Sequence, residues 1–250
     1  MPLEAFQFKQ FSVAHDRCAM KVGTDAVLLG AWAPINHCPN SVLDIGSGSG
    51  ILALMLAQRS TAELIDAIEI DAEAYEQCVQ NFEQSPWADR LFCYHASLEE
   101  FTEEIENKYD LIVSNPPFYT NDFDTKNNAR NLARFENALP FEHLIGSTKM
   151  LLSSKGVFCV IIPFSEEDSF CVLANENQLY CNKKLRIRGQ KHGEIKRSLM
   201  AFSCIKQDIE LQEMYLEDGR HNYSESYKEM AKEFYLNSKL NKFISKFVDR

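Results

Sequence analysis

Asp44-Ile45-Gly46-Ser47-Gly48-Ser49-Gly50 ends an apolar run at 41–45 and opens onto Ile51-Leu52-Ala53-Leu54-Met55-Leu56-Ala57. Alternating glycines between a strand-like and a helix-like run let the backbone turn tightly and approach a ligand where side chains would collide. The dinucleotide fingerprint needs a glycine where Ile51 stands, so this loop is a different pattern. Taken alone it has a plain alternative, a tight strand-to-helix turn. Glu69 changes that balance. It closes the next strand-like run 25 residues after Asp44, where a carboxylate can accept hydrogen bonds from both ribose hydroxyls of a nucleoside. Asp71, two residues on, is placed to cap the helix that starts at Ala72.

Outward from the loop, strand-like and helix-like segments alternate. Strands are predicted at 41–45, 64–70, 91–95, 109–114 and 156–162, with helices at 50–59 and 72–84. The helix at 50–59 is apolar nearly all round, which predicts burial. Glu99, Glu100, Glu103, Glu104 and Glu106 read as a solvated helical face. Runs at 198–204 and 209–216 read as late, antiparallel additions. The expected fold is α/β: a mostly parallel seven-stranded sheet with helices on both faces and an antiparallel edge hairpin. Residues 1–40 read as an N-terminal extension packing on the core and 41–250 as one domain, since no Pro-, Gly- or Ser-rich linker divides them.

Composition narrows the class. A 250-residue chain that is 45% hydrophobic, with formal net charge -10, is neither a disordered tail nor a basic nucleic-acid arm. The apolar run at 51–57 is too short to span a bilayer, and residues 1–10 lack a basic flank followed by an apolar stretch, so the reading is soluble and cytoplasmic. The eight cysteines never approach CxxC spacing and the six histidines show no ligand spacing, so no metal is expected.

Asn115-Pro116-Pro117-Phe118 ends the fourth predicted strand, at the carboxyl edge where open α/β sheets place ligands. Two prolines in a row must terminate a strand. The residue types also suit one chemical task. An exocyclic amine conjugated to a ring is a poor nucleophile; the Asn115 side-chain oxygen and the Pro116 carbonyl can accept its hydrogens and favour pyramidal geometry as an electrophile arrives. Phe118 can stack on the ring and hold it in line.

Residues 44–50 with Glu69 resemble the nucleoside-binding half of the S-adenosylmethionine-dependent methyltransferases. The resemblance implies a Rossmann-like class I methyltransferase fold with S-adenosyl-L-methionine as cofactor. It sets Gly46 and Gly48 under the methionine part, has Asp44 organise the loop, and has Glu69 hold the ribose. In many relatives an Asp ending the third strand bonds the adenine amine; Ala96-Ser97 stands there, which leaves Ser97 or its backbone for the contact. The 115–118 tetrapeptide resembles the motif of amino-methyltransferases acting on adenine N6, guanine N2 or a glutamine amide. It assigns catalysis to Asn115, Pro116 and Phe118, with Asn115 also bordering the cofactor.

The flanks select among those substrates. Gly23-Thr24-Asp25 reads locally as a turn and helix cap. With 15–22 and Leu28-Leu29-Gly30-Ala31-Trp32, it resembles the N-terminus of the bacterial tRNA1(Val) adenine N6-methyltransferase family. The likeness continues through 51–59, Gln84-Ser85-Pro86-Trp87-Ala88 and Asn222-Tyr223-Ser224-Glu225. It implies that Lys21, Gly23 and Thr24 border the cofactor, and that the methyl goes to the adenine immediately 3′ of the anticodon. Methylation of rRNA guanine or a protein glutamine shares the loop chemistry, and an idle RNA-binding module would share the fold. Phosphate contacts dominate RNA affinity. Lys183, Lys184, Arg186, Arg188, Lys191, Lys196 and Arg197 face only Glu194 within 183–197, which makes this the expected tRNA surface against a charged hairpin as the plain alternative. Lys239, Lys242, Lys246 and Arg250 form a second basic candidate, and the polar stretch 119–140 reads as a segment that can order over an extruded nucleotide or as a surface connection.

Overall fold

The computed structural model describes residues 5–117, 139–219 and 222–236. A short antiparallel pair, β1 (Phe6–Gln7) and β2 (Ser12–Val13), precedes helix α1 (Thr24–Trp32). Then come β3 (Ser41–Ile45), α2 (Ile51–Arg59), β4 (Leu64–Glu69), α3 (Ala72–Glu83), β5 (Leu91–His95), α4 (Leu98–Glu104) and β6 (Tyr109–Ser114). The second half holds α5 (Phe141–Leu151), β7 (Leu152–Pro163), α6 (Glu167–Glu176), β8 (Tyr180–Gln190), β9 (Ile195–Ser203), β10 (Glu210–Gly219), β11 (Asn222–Tyr223) and α7 (Glu225–Ala231).

One sheet carries the order β11-β10-β8-β9-β7-β6-β3-β4-β5. Strands β3 to β7 pair in parallel, β9 runs antiparallel to both β7 and β8, and β10 lies parallel to β8. Every parallel strand therefore ends at one edge, where the glycine loop follows β3, Glu69 closes β4 and Asn115 follows β6. Helices cover both faces. Residues of α1, α2, α3 and α7 join one hydrophobic cluster and those of α4, α5 and α6 the other. Helix α2 is buried from Ile51 to Ala57, each large side chain contributing about 1.5–3 kcal/mol relative to exposure. Among the described residues, no helix is long and apolar enough to cross a membrane.

The sheet is wider than the seven strands expected. Strand β8 occupies the stretch read as a basic surface, and β11 adds a two-residue edge that forms the antiparallel hairpin with β10. The run at 209–216 was expected to be antiparallel; β10 instead pairs in parallel with β8. The physical reason lies in β8's alternation. Leu185 and Ile187 enter the core, while Lys184 and Arg186 point to the opposite face and meet a carboxylate from α6. That carboxylate, Glu167, is 1% exposed and accepts from Lys184 Nζ at 2.9 Å, Arg186 Nη2 at 2.7 Å, Arg186 Nε at 3.2 Å and the Ser198 hydroxyl. Charged side chains enter a sheet when each finds an opposite charge.

Burial alone would raise the Glu167 carboxyl; the bonds from Arg186, Ser198 and Lys184 outweigh it and hold it at about 2. Its contribution to stability is therefore complete above the ordinary glutamate value and is lost as pH falls toward 2. Glu167→Ala is expected to cost about 3–5 kcal/mol at neutral pH, measured by urea unfolding. The gap between variant and parent should close on acidification below about pH 4.5.

Candidate active site

The glycine loop takes a shape that side chains resist. Gly46, Gly48 and Gly50 have φ of 71°, 53° and 77°, in the left-handed region. Two of them leave space: a Cβ built on Gly46 or Gly48 meets nothing within 4 Å. Gly50 differs, because a Cβ there would lie 2.5 Å from Phe82 Cε1 and 2.7 Å from Cys78 Sγ. The last glycine seats α2 against α3; the first two keep an open floor.

Glu69 fixes that floor. Its Oε2 accepts from the Gly48 N–H at 2.7 Å and its Oε1 from the Asp71 N–H at 2.9 Å. Gly46 and Ser47 both donate to the Ile68 carbonyl at 3.0 Å. Asp71 caps α3 through Ala74, as its position implied. Asp44 lies beneath, fully buried, with Oδ2 accepting from the Ala53 N–H at 3.2 Å and Oδ1 without a partner among the described residues. Burial pushes its carboxyl up to about 7.

Register aligns the site. Ile45 pairs with Ile68 on one side and Ser114 on the other, so Glu69, Gly46 and Asn115 start the next row across three adjacent strands. Two strand spacings separate Glu69 from Asn115, about 10 Å, and the Ser114 hydroxyl donates to the Ile45 carbonyl at 2.9 Å to hold the central pair. The Asn115 Oδ1 is buried and has no hydrogen-bond partner among the described residues. Such an acceptor costs about 1–3 kcal/mol unless something donates to it. Pro116 is buried and Pro117 exposed; Phe118 lies outside the described residues.

The N-terminal strap reaches this floor through residues the sequence reading passed over. Asn81 on α3 accepts from the Ala14 N–H at 2.9 Å and donates to the Ala14 and Ser49 carbonyls at 2.8 and 2.9 Å. Gln77 accepts from the Arg17 N–H at 3.0 Å and donates to Asp16 at 2.7 Å. Both amides sit on the helix face that packs inward, and their burial is visible only in the folded chain. The strap then delivers exposed Lys21, and Gly23 as the N-cap of α1 with no side-chain cap from Thr24. His15 holds the turn: its Nδ1 accepts from the Val22 N–H at 3.1 Å.

Ser97 is occupied otherwise. It starts α4 in a capping box, its hydroxyl donating to Glu100 Oε2 at 2.8 Å and its N–H to the same oxygen at 2.9 Å. Its side chain is committed to the helix, while the preceding Ala96 N–H donates to the Glu69 carbonyl at 3.2 Å.

A clamped glycine floor, an acid at its edge and an amide oxygen in the same row are thus gathered at the carboxyl edge of the sheet. Residues 22–161 match the methyltransferase small domain. The chain belongs to that family. Proteins named tRNA1(Val) (adenine(37)-N6)-methyltransferase resemble this methyltransferase along most of its length. That of Flavobacterium johnsoniae is 58% identical over 89% of this chain and 95% of its own. That of Christiangramia forsetii is 54% identical over 91% and 96%, and that of Bacteroides fragilis 43% over 89% and 93%. Among solved structures, a predicted O-methyltransferase from Agrobacterium tumefaciens shares the fold with TM-score 0.63 at 18% identity, covering 84% of this chain and 96% of that one. A putative RNA methyltransferase from Pyrococcus horikoshii gives 0.51 at 16%, covering 71% and 80%.

The methyltransferase's basic stretch is largely paired. Besides Lys184 and Arg186, Lys183 meets Glu210 at 3.4 Å, Arg188 meets Glu213 at 2.9 Å, Lys196 meets Glu194 at 3.8 Å and Arg197 meets Asp25 at 2.8 Å. The partners come from α1, α6, β10 and the β8–β9 turn, so the net positive field along 183–197 is much weaker than the linear sequence suggests. The C-terminal cations from Lys239 onward lie outside the described residues.

Burial, then Lys21, holds His15 below the ordinary histidine value, outweighing Asp16. A lowered folded value means its contribution is present above about pH 6.5 and is lost as pH falls. Wild type is expected to lose on the order of 1 kcal/mol between pH 7.5 and 5.5 relative to His15→Phe, read by urea unfolding. A flat difference across that range removes His15 as the hinge of the strap.

Proposed function

We propose that this chain transfers a methyl group from S-adenosyl-L-methionine to N6 of the adenine immediately 3′ of the anticodon in a tRNA. The observation that carries the reading is the buried Asn115 Oδ1, which has no partner among the described residues and stands in the same row as Gly46 of the glycine floor. Close similarity to proteins named for that reaction supports the substrate, and we infer a cytoplasmic enzyme on the same ground.

The residues present fit the cofactor. Open space above Gly46 and Gly48 admits a ligand against bare backbone. Glu69 uses each oxygen once, for Gly48 and Asp71, and a carboxylate has about four acceptor positions, so ribose hydroxyls can donate to it. Asp44 organises the loop through Ala53, and Lys21, Gly23 and Thr24 border the pocket from the strap. Ser97 is retained as the adenine contact only through the lone pair its hydroxyl has left. S-adenosyl-L-methionine supplies a methyl group on a positively charged sulfur.

Asn115 Oδ1 and the Pro116 carbonyl accept the two hydrogens of the target amine, turning its lone pair toward the electrophile. Phe118 takes the stacking role the motif assigns. No general base is needed beforehand, because the amine proton becomes acidic only after the carbon–nitrogen bond forms. The tRNA meets the carboxyl edge at the β8–β9 turn, where Lys191 and Lys196 are the exposed cations of the 183–197 stretch, with the C-terminal segment as a further contact.

Asn115→Ala is expected to lower methyl transfer at least about a hundredfold while calorimetric affinity for S-adenosylhomocysteine stays within twofold. Nucleoside analysis of the product should give N6-methyladenosine from tRNA. Label recovered only in guanosine or in protein would overturn the substrate, and near-normal turnover by Asn115→Ala would overturn the mechanism.

A further inference from the structure

Phe164 stands where the site ends and belongs to neither hydrophobic cluster. Strand β7 runs beside β6 with Val160 opposite Ser114, so residues 161–163 climb level with Asn115, Pro116 and Pro117. Phe164 is the next residue, opening a single 3-10 turn off the carboxyl edge. At about 3.3 Å per residue and 4.8 Å between strands, its backbone passes within about 10 Å of the Asn-Pro-Pro turn. That span is within reach of a purine whose amine touches Asn115.

The ring is half-buried. The Arg186 guanidinium lies 5.2 Å from its centroid, and no other ring or cation meets it among the described residues. Arg186 itself cannot wander, because both its Nε and its Nη2 are bonded to buried Glu167. A fork fixed by a buried carboxylate gives the phenyl ring a rigid, cation-backed face. The surroundings also choose the ligand's chemistry. Exposed Glu166 and Asp168 flank the turn and repel a phosphate, whereas an uncharged flat base stacks on such a ring regardless of sequence.

We propose that Phe164, braced by Arg186, is the stacking surface that receives the methyl-accepting base as it leaves the RNA stack. The inference rests on the tRNA reading above and adds a second aromatic to the one in the 115–118 motif. Taking a base out of its stack costs a few kcal/mol, and a prepared ring on the enzyme offsets part of that.

The test uses the full chain and an anticodon stem-loop RNA. Phe164→Leu keeps apolar bulk and removes the π face; Phe164→Trp keeps both. Single-turnover transfer by Phe164→Leu should fall ten- to a hundredfold, with S-adenosylhomocysteine affinity within twofold of wild type, and Phe164→Trp should restore the rate to within threefold. In parallel, 2-aminopurine at the accepting position should be quenched by wild type and bright on Phe164→Leu. Wild-type rate and quenching in Phe164→Leu would overturn the proposal. If Phe164→Leu melts early, Phe164→Trp carries the comparison: a correctly folded Trp variant as slow as Leu overturns it. A wild-type enzyme inactive on tRNA, whose 2-aminopurine quenching still depends on Phe164, would sink the assigned reaction and leave the stacking surface standing.

Discussion

The carboxylate of Glu69 is the constraint on which the site depends. It stands at the end of β4, yet its two oxygens bind backbone N–H groups on either side of it, Gly48 in the preceding loop and Asp71 at the start of α3. Hydrogen bonds to a charged acceptor are about twice as strong as neutral ones, and these two converge on a loop whose three glycines all adopt left-handed backbone. Without that anchor the loop has few side chains to hold it. With it, bare backbone at Gly46 and Gly48 faces open space, and Asp71 is set to cap the next helix.

The loop is also held from behind. Asn81 ties Ser49 to the strap at Ala14, and Ser47 lies against Cys78 and near Cys93, so α3 and β5 form the rear wall of the floor. The sheet then turns this local order into a site. Parallel strands share one carboxyl edge, and the register of β3 with β4 and β6 puts Glu69 and Asn115 in one row with Gly46 between them. The cost of that arrangement is a buried acceptor on Asn115 and another on Asp44 that no described residue pairs. Asn115 and Asp44 lie on two sides of the same floor.

Charge follows the opposite logic. The basic stretch that invites an RNA reading is spent mainly on Glu167, Glu210, Glu213, Glu194 and Asp25. These pairs let a strand rich in lysine and arginine sit inside a mixed sheet. The Glu167 cluster adds rigidity at the reaction edge, where its arginine lies over Phe164.

Local signals determined much of this protein. Strands β3, β5 and β6 occur at the residues their apolar runs mark, the glycine loop and its acid are where their spacing implies, and Asp71 caps as a lone Asp before a helix does. These features depend on neighbours in the chain, so the order of residues is enough to reveal them. A charged hairpin at 183–197 was legible as an alternative and is what β8 and β9 form, but the choice between it and an RNA surface, and the parallel placement of β10, were hidden, because a run of lysines and arginines enters a sheet only when carboxylates from elsewhere in the chain neutralise it. The roles of Asn81, Gln77 and Phe164 were hidden for the same reason. An amide or a phenyl ring acquires its function from what the fold brings opposite it, and pairings between distant residues exist only once the chain has closed on itself.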